Sequence, residues 1–206
     1  MKKIFSAIIS SPMKGRLCGL LFALLATTTL LAYDFKVDGI YYNFLEGNNV
    51  EVTSGGYGGR PPKPKEPYTG SLVIPATVTY NGTTYNVTQI GGKAFYGHVS
   101  HTSVALPTSI ISIGYLAFDN CGVVNNESNW KDDVLYIDNY LIRVKTTKAG
   151  AYTIKSNTKV IAQGAFENCA SLTSVTIPDG ITVIGSYTFS GCSNLTSVSI
   201  PSSVTS

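Results

Sequence analysis

The chain has 206 residues, with 15 Lys and Arg against 12 Asp and Glu, and 44% of it is hydrophobic. That length suits one elongated domain plus processing segments. Lys2, Lys3, Lys14 and Arg16 precede every acidic residue, so removing residues 1–32 turns the formal charge of +3 into 11 − 12 = −1. The apparent basicity thus belongs to a targeting segment rather than to the clustered basic face that nucleic acid requires, for which Arg60, Lys63 and Lys65 are the only local candidate, and no nucleic-acid partner is expected.

Those four cations lead into an apolar run of 16 residues, Leu17 to Ala32. The pattern is that of a secretory signal with cleavage expected after Ala32, an uncleaved anchor being the alternative. It is shorter than the roughly 20 apolar residues of a membrane span, so any membrane contact is expected through this segment alone. Cys18 precedes the apolar core and does not fit lipid acylation. Residues 33–70 read as a small N-terminal β cap followed by a Pro- and Gly-rich loop, GGRPPKPKEP, whose prolines favour an extended path. Many tyrosines between Tyr33 and Tyr85 are suited to covering the apolar end of the adjoining region.

From residue 71 onward the sequence repeats. Leu72-Val73-Ile74-Pro75 supplies half a unit, and Asn81-Gly82 predicts a hairpin turn. Ile90 to Ser112 is a 23-residue copy, and a second begins at Ile113 with Phe118 and Cys121 in register. An insertion, Asn125 to Gly150, interrupts that copy. Within it, Val134–Ile137 and Tyr140–Val144, joined through Asp138-Asn139, predict a β-hairpin. The register returns near Ile154, and two gapless 23-residue copies close the chain, Ile161 to Val183 and Ile184 to Ser206. Phe166/Phe189, Cys169/Cys192, Leu172/Leu195, Val175/Val198, Ile177/Ile200 and Pro178/Pro201 fall at equal offsets.

A fixed period in this range signals a β-rich solenoid, in which each unit buries its apolar face against its neighbours. Leu172-x-x-Val175-x-Ile177 alternates as a strand with one buried face should. Stacked copies predict short parallel strands side by side, with internal columns of Leu, Val and Ile. The three cysteines after residue 32 share one repeat position, so they are expected as packed free thiols rather than as a bridge.

The run I-G-x-x-[AT]-F-x-x-C-x-x-L-T-S-V-x-I-P resembles the BspA-like leucine-rich-repeat family of bacterial surface and secreted proteins. It covers about two thirds of the chain. The resemblance implies a right-handed leucine-rich-repeat superhelix and a non-catalytic adhesive role, with protein or glycan partners on host or other microbes. The early copies depart from the pattern. His98 replaces the cysteine, His101 replaces the leading leucine, and Lys155 replaces the proline after Ile154.

No nucleophile elbow, phosphate loop or metal-ligand constellation is present in the sequence, so no catalytic residue, metal or cofactor is expected. His98 and His101 read as drift within one repeat. Binding candidates fall in two groups. Ser103, Thr153, Ser174, Thr176, Ser197 and Ser199 should point outward between the internal columns as a hydroxyl-rich strand surface. Ser and Thr there are equally explained as solvated strand residues. Trp130, Tyr136, Tyr140 and Arg143 in the inserted hairpin are residue types enriched at binding hot spots. The alternative is a structural spacer for a catalytic or anchoring domain outside this chain. Ser206 ends a unit with no polar closing element, which predicts either a truncated array or self-association through that end.

Overall fold

The computed structural model describes residues 33–55 and 70–206; the expected secretory leader and the GGRPPKPKEP loop lie outside the described residues. Among the described residues no helix is long and apolar enough to cross a membrane. β1 (Phe35–Val37) and β2 (Ile40–Phe44) form a hairpin through Asp38-Gly39, both left-handed at φ 48° and 84°. β3 (Asn49–Thr53) pairs antiparallel with β2. β4 (Gly70–Val73) is next in the chain, then β5 (Thr77–Tyr80) and β6 (Thr83–Ile90), an antiparallel pair turning at Asn81-Gly82 as the sequence predicts. Phe35 stacks on Tyr80 at 4.4 Å and on Tyr42 at 5.2 Å, and Phe44 lies 5.1 Å from Tyr85. These aromatic rings cover the apolar side of this first sheet.

Beyond it the repeat sets the architecture through ladders on several sides of each unit. The first joins the opening isoleucines: β3 pairs in parallel with β6 and β6 with β8 (Ser112–Ile113), aligning Val52, Ile90 and Ile113. The second joins the strand halves of the units. β4 pairs in parallel with β7 (His101–Ala105). The third runs through the turns. Backbone N–H groups of Lys93, Phe95 and Gly97 donate to the carbonyls of Tyr115, Ala117 and Asp119 at 2.7–3.0 Å. Gly164, Phe166 and Asn168 repeat this with Ser186, Thr188 and Ser190. Each unit therefore satisfies its backbone against the next one, which a stack requires because buried amides must be paired.

The insertion begins with α1 (Gly122–Asn125) and a 3-10 turn, Glu127–Asn129, then β9 (Trp130–Lys131). β10 (Val134–Ile137) and β11 (Tyr140–Val144) form the predicted hairpin. Its second strand pairs in parallel with the opening isoleucine of the next unit, Leu141 opposite Ile161 of β13 (Val160–Ile161), in a separate four-stranded sheet. β12 (Gly150–Thr153), β14 (Leu172–Thr176) and β15 (Ser197–Ser199) then form a three-stranded parallel sheet, with Val175 opposite both Tyr152 and Val198.

The strand halves thus form two separate sheets, β4–β7 and β12–β14–β15, not the single sheet expected from stacked copies. The insertion is the cause. The Asn129 side chain donates to the Thr102 carbonyl of β7 at 3.1 Å, and β9 pairs with β10 rather than with β12.

The core follows the predicted columns. Phe166, Cys169, Leu172, Val175, Ile177 and Ile181 are buried in one cluster. Phe95 stacks on Phe118 at 5.3 Å and Phe166 on Phe189 at 5.2 Å. At the eighth position of a unit the backbone is left-handed in four copies, at Gly97, Asn120, Asn168 and Gly191. Glycine and asparagine meet that demand at least cost.

Candidate functional site

Among the described residues the three cysteines are free, as expected; Cys121 and Cys169 are buried and Cys192 is half-buried. The Cys169 thiol donates to the carbonyls of Val144 and Lys145 at 3.7 and 3.6 Å, and Cys192 to that of Phe166 at 3.0 Å. Burial, joined by the neighbouring Cys192, pushes the Cys169 thiol up to about 11. That argues against a reactive thiolate, since the thiolate is the nucleophilic form.

His98 and His101 stack at 5.8 Å. Burial holds both imidazoles below their ordinary range, and for His98 the proximity of His101 adds to it. They line a small cavity of about 70 Å³ with Phe95, Tyr41 and Leu72. Among the described residues, no group of three or more His, Cys, Asp or Glu is placed to hold a metal.

The hydroxyl surface divides with the sheets. Ser103 lies on β7 opposite Ser71, whereas Ser174 and Ser197 align with Ala151, and Thr153, Thr176 and Ser199 align with one another. Ser103, Thr153, Thr176, Ser197 and Ser199 are exposed; Ser174 is half-buried.

The four hairpin candidates do not share one surface. Tyr140 is corrected outright: it is 2% exposed, and its hydroxyl donates to the Pro107 carbonyl at 2.7 Å. Its strand pairs with β13, so the ring turns into the core and is unavailable to a partner. Trp130 and Arg143 line a groove of about 370 Å³ with Asp119, Lys145 and Thr147. There the indole N–H donates to the Val124 carbonyl at 2.8 Å, and the Lys145 ammonium lies 5.1 Å above the ring. Both cations of this groove are neutralised, Arg143 by Asp119 and Lys145 by Glu127. Nearby, the Tyr115 hydroxyl donates to both Glu167 oxygens at 2.9 Å, and this bond pushes the phenol upward.

Tyr136 faces a different groove of about 430 Å³, at the break between β9–β10 and β12. Tyr152 and Thr153 of β12 line its other side, with Lys131, Asp132 and Lys155. The Tyr136 hydroxyl lies 3.5 Å from that of Tyr152 and 3.4 Å from that of Thr158. Lys155 places its ammonium 4.0 Å above the Tyr136 ring, and Lys148 stands 5.4 Å above Tyr152. Such contacts hold a cation against an aromatic face. Burial, then the Tyr136 hydroxyl and the Asp132 charge, push the Tyr152 phenol above its ordinary range, so it stays protonated as a donor.

Thr153 belongs both to this groove and to the exposed ladder, so the two candidate surfaces adjoin. Tyr152, Lys155 and Lys131 were not legible as site residues. Tyr152 sits at an internal-column position, and Lys155 showed itself only as the missing proline. A repeat position that abandons its consensus was the available signal.

Parallel strands stacked at a 23-residue period around aliphatic and phenylalanine columns define a β-rich leucine-rich-repeat protein. The chain belongs to the BspA type leucine rich repeat region family, whose profile matches residues 78–148 and 144–206 in six copies. No curated protein matches the chain.

Solved structures similar to it include a leucine rich cell surface protein from Faecalibacterium prausnitzii, 24% identical at a TM-score of 0.42. That match covers 83% of this chain and 43% of the other. A leucine-rich repeat protein from Bacteroides ovatus is 22% identical at a TM-score of 0.38, covering 84% and 54%. One from Bacteroides capillosus is 26% identical at 0.39, covering 80% and 96%. The chain thus spans about half the length of the first two.

Proposed function

We propose that this is an exported, non-catalytic binding protein that acts at the cell surface or as a secreted adhesin toward protein or glycan partners. Its units form a right-handed solenoid, and β1–β3 with their aromatic rings serve as the N-terminal cap. The observation that carries the reading is the groove between the inserted hairpin and β12, which continues into the exposed Thr153–Thr176–Ser199 ladder. Insertions in repeat arrays map to one face, often the binding face. Contacts along a rigid ladder also add without a fresh ordering cost for each one. The basic and apolar pattern of residues 1–32 and membership in the BspA type repeat family support the same placement.

Beads coated with the full chain, presented to host matrix proteins and to co-resident microbes, test it. Adhesion above uncoated beads is expected, together with antibody labelling of the protein on intact cells or in the medium. Absence of adhesion to every surface, or reproducible turnover by the purified chain, would overturn the reading. The spacer alternative is favoured by the small side chains of the ladder, which carry no aromatic anchor. It predicts that beads coated with this chain adhere no better than uncoated beads.

A further inference from the structure

The two grooves beside the hairpin differ in what their cations do. On the Trp130 side, Arg143 and Lys145 are each satisfied by a carboxylate. On the Tyr136 side, Lys131 and Lys155 line the cavity, and neither takes part in an ion pair among the described residues. Lys155 is held over the Tyr136 ring instead. A cation kept at a cavity wall by an aromatic face retains its attraction for an incoming anion.

The rest of the lining narrows the ligand. Val134 is the aliphatic side chain of this groove and is 4% exposed, so no apolar pocket awaits a side-chain anchor of the kind peptide recognition uses. The polar groups the groove offers are the hydroxyls of Tyr136, Tyr152 and Thr153, with one carboxylate, Asp132. Lys155 covers a face of the Tyr136 ring and Lys148 one of the Tyr152 ring, so the tyrosines meet a ligand through their polar tips, a match for the hydroxyl rim of a sugar ring. The cavity volume lies within the range of about 300–1,000 Å³ common for small-ligand sites.

We propose that this groove binds an acidic oligosaccharide, its anionic groups held by Lys131 and Lys155 and its sugar hydroxyls met by the hydroxyls of Tyr136, Tyr152 and Thr153. The inference rests on the binding role proposed above and names the ligand chemistry of that surface. The origin of the groove supports it. The groove exists because the insertion breaks the strand ladder between β7 and β12, and the repeat consensus gives way there at Lys155. At the positions of Tyr152 and Lys155 the next two rungs carry Val175 and Val198, and Pro178 and Pro201.

Calorimetric titration of the full chain with a hyaluronan hexasaccharide, chitohexaose and poly-glutamate of similar length tests the proposal. The uronate-bearing hexasaccharide should bind, and its affinity should fall as salt screens the charges. Neutral chitohexaose, of the same ring number, should bind at least about tenfold more weakly. The double variant K131Q/K155Q should lose about tenfold or more, and Y136F/Y152F should lose affinity while keeping salt dependence. K159Q, an exposed lysine outside the groove, should bind as the parent does. Circular dichroism and unchanged urea midpoints establish that the variants are folded. Equal binding of chitohexaose, equal binding of poly-glutamate, no binding of the hexasaccharide, or an unaffected K131Q/K155Q would each overturn the proposal. Should bead adhesion survive while hexasaccharide binding fails, the groove assignment falls and the adhesive role stands; loss of all adhesion removes the role itself.

Discussion

Two neighbouring rungs of nearly the same sequence live in different environments. In the unit from Ile161 to Val183, Phe166, Cys169, Leu172 and Val175 are buried, and Ile177 is 3% exposed. In the unit from Ile184 to Ser206, Phe189, Cys192, Leu195 and Val198 are half-buried, and Ile200 is 57% exposed. The residue types are matched, so the difference comes from neighbours. The earlier rung is covered on both sides, by β11 and β12 before it and by β15 after it, whereas within this chain the later one has a rung on one side. The lesson is that in a repeat stack the same leucine can be core or surface; the sequence of its own unit does not decide which.

The sharpest way to break that comparison is a charge in the column. Val175→Asp should cost about 4–5 kcal/mol or prevent folding, because a buried, unpaired carboxylate has no compensation. Val198→Asp, with water on one side, should cost less than half as much. Urea midpoints at constant m read both, and equal losses would mean that the last rung is as dry as its neighbour.

Cavity formation gives the next effect. Phe166→Ala should cost about 3–5 kcal/mol, with Phe189→Ala well below it. The stacked pair couples the two sites, so the double variant should not be additive.

The cysteines sharpen the comparison through pH. The Cys169 thiol is raised in the folded state, to about 11 from an ordinary 9.0. Its neutral form is therefore favoured by folding, and the stabilisation is present below pH 9 and lost as pH rises through about 11. Cys169→Ala should flatten that alkaline decline more than Cys192→Ala does. A thiol reagent should label Cys192 before Cys169 in the native protein, and the reverse order would contradict their burial.

The smallest effect belongs outside the column. Ser197→Asp, on the exposed face of the ladder, should change stability by no more than about 0.5 kcal/mol. A larger loss at Ser174→Asp would reflect its partial burial.

Much of this was legible because the signal is repeated. Phe166 and Phe189, or Val175 and Val198, stand 23 residues apart in the sequence and touch or pair in the structure. The Asp138-Asn139 hairpin and the Asn81-Gly82 turn were equally readable from local turn chemistry. Other features were not. Ser109 and Ser203 occupy the same repeat position, and each donates its hydroxyl to the preceding rung, to the Val87 and Ile181 carbonyls at 2.7 and 2.8 Å. In the sequence they look like ordinary loop serines. Tyr140 looked like a hot-spot aromatic, although its strand had a buried partner in β13, a pairing that spans an irregular insertion.

Taken alone, the sequence determined the period, the column residues, the parallel stacking and the inserted hairpin, because each depends on spacing within one unit or on a turn of two residues. Tertiary structure decided where the ladder breaks, which aromatics of the hairpin face inward, and which lysines of the two grooves form ion pairs. Those outcomes depend on how one irregular segment docks between regular rungs. Neither periodicity nor turn propensity encodes that docking, because the contacts that fix it lie far apart in the chain.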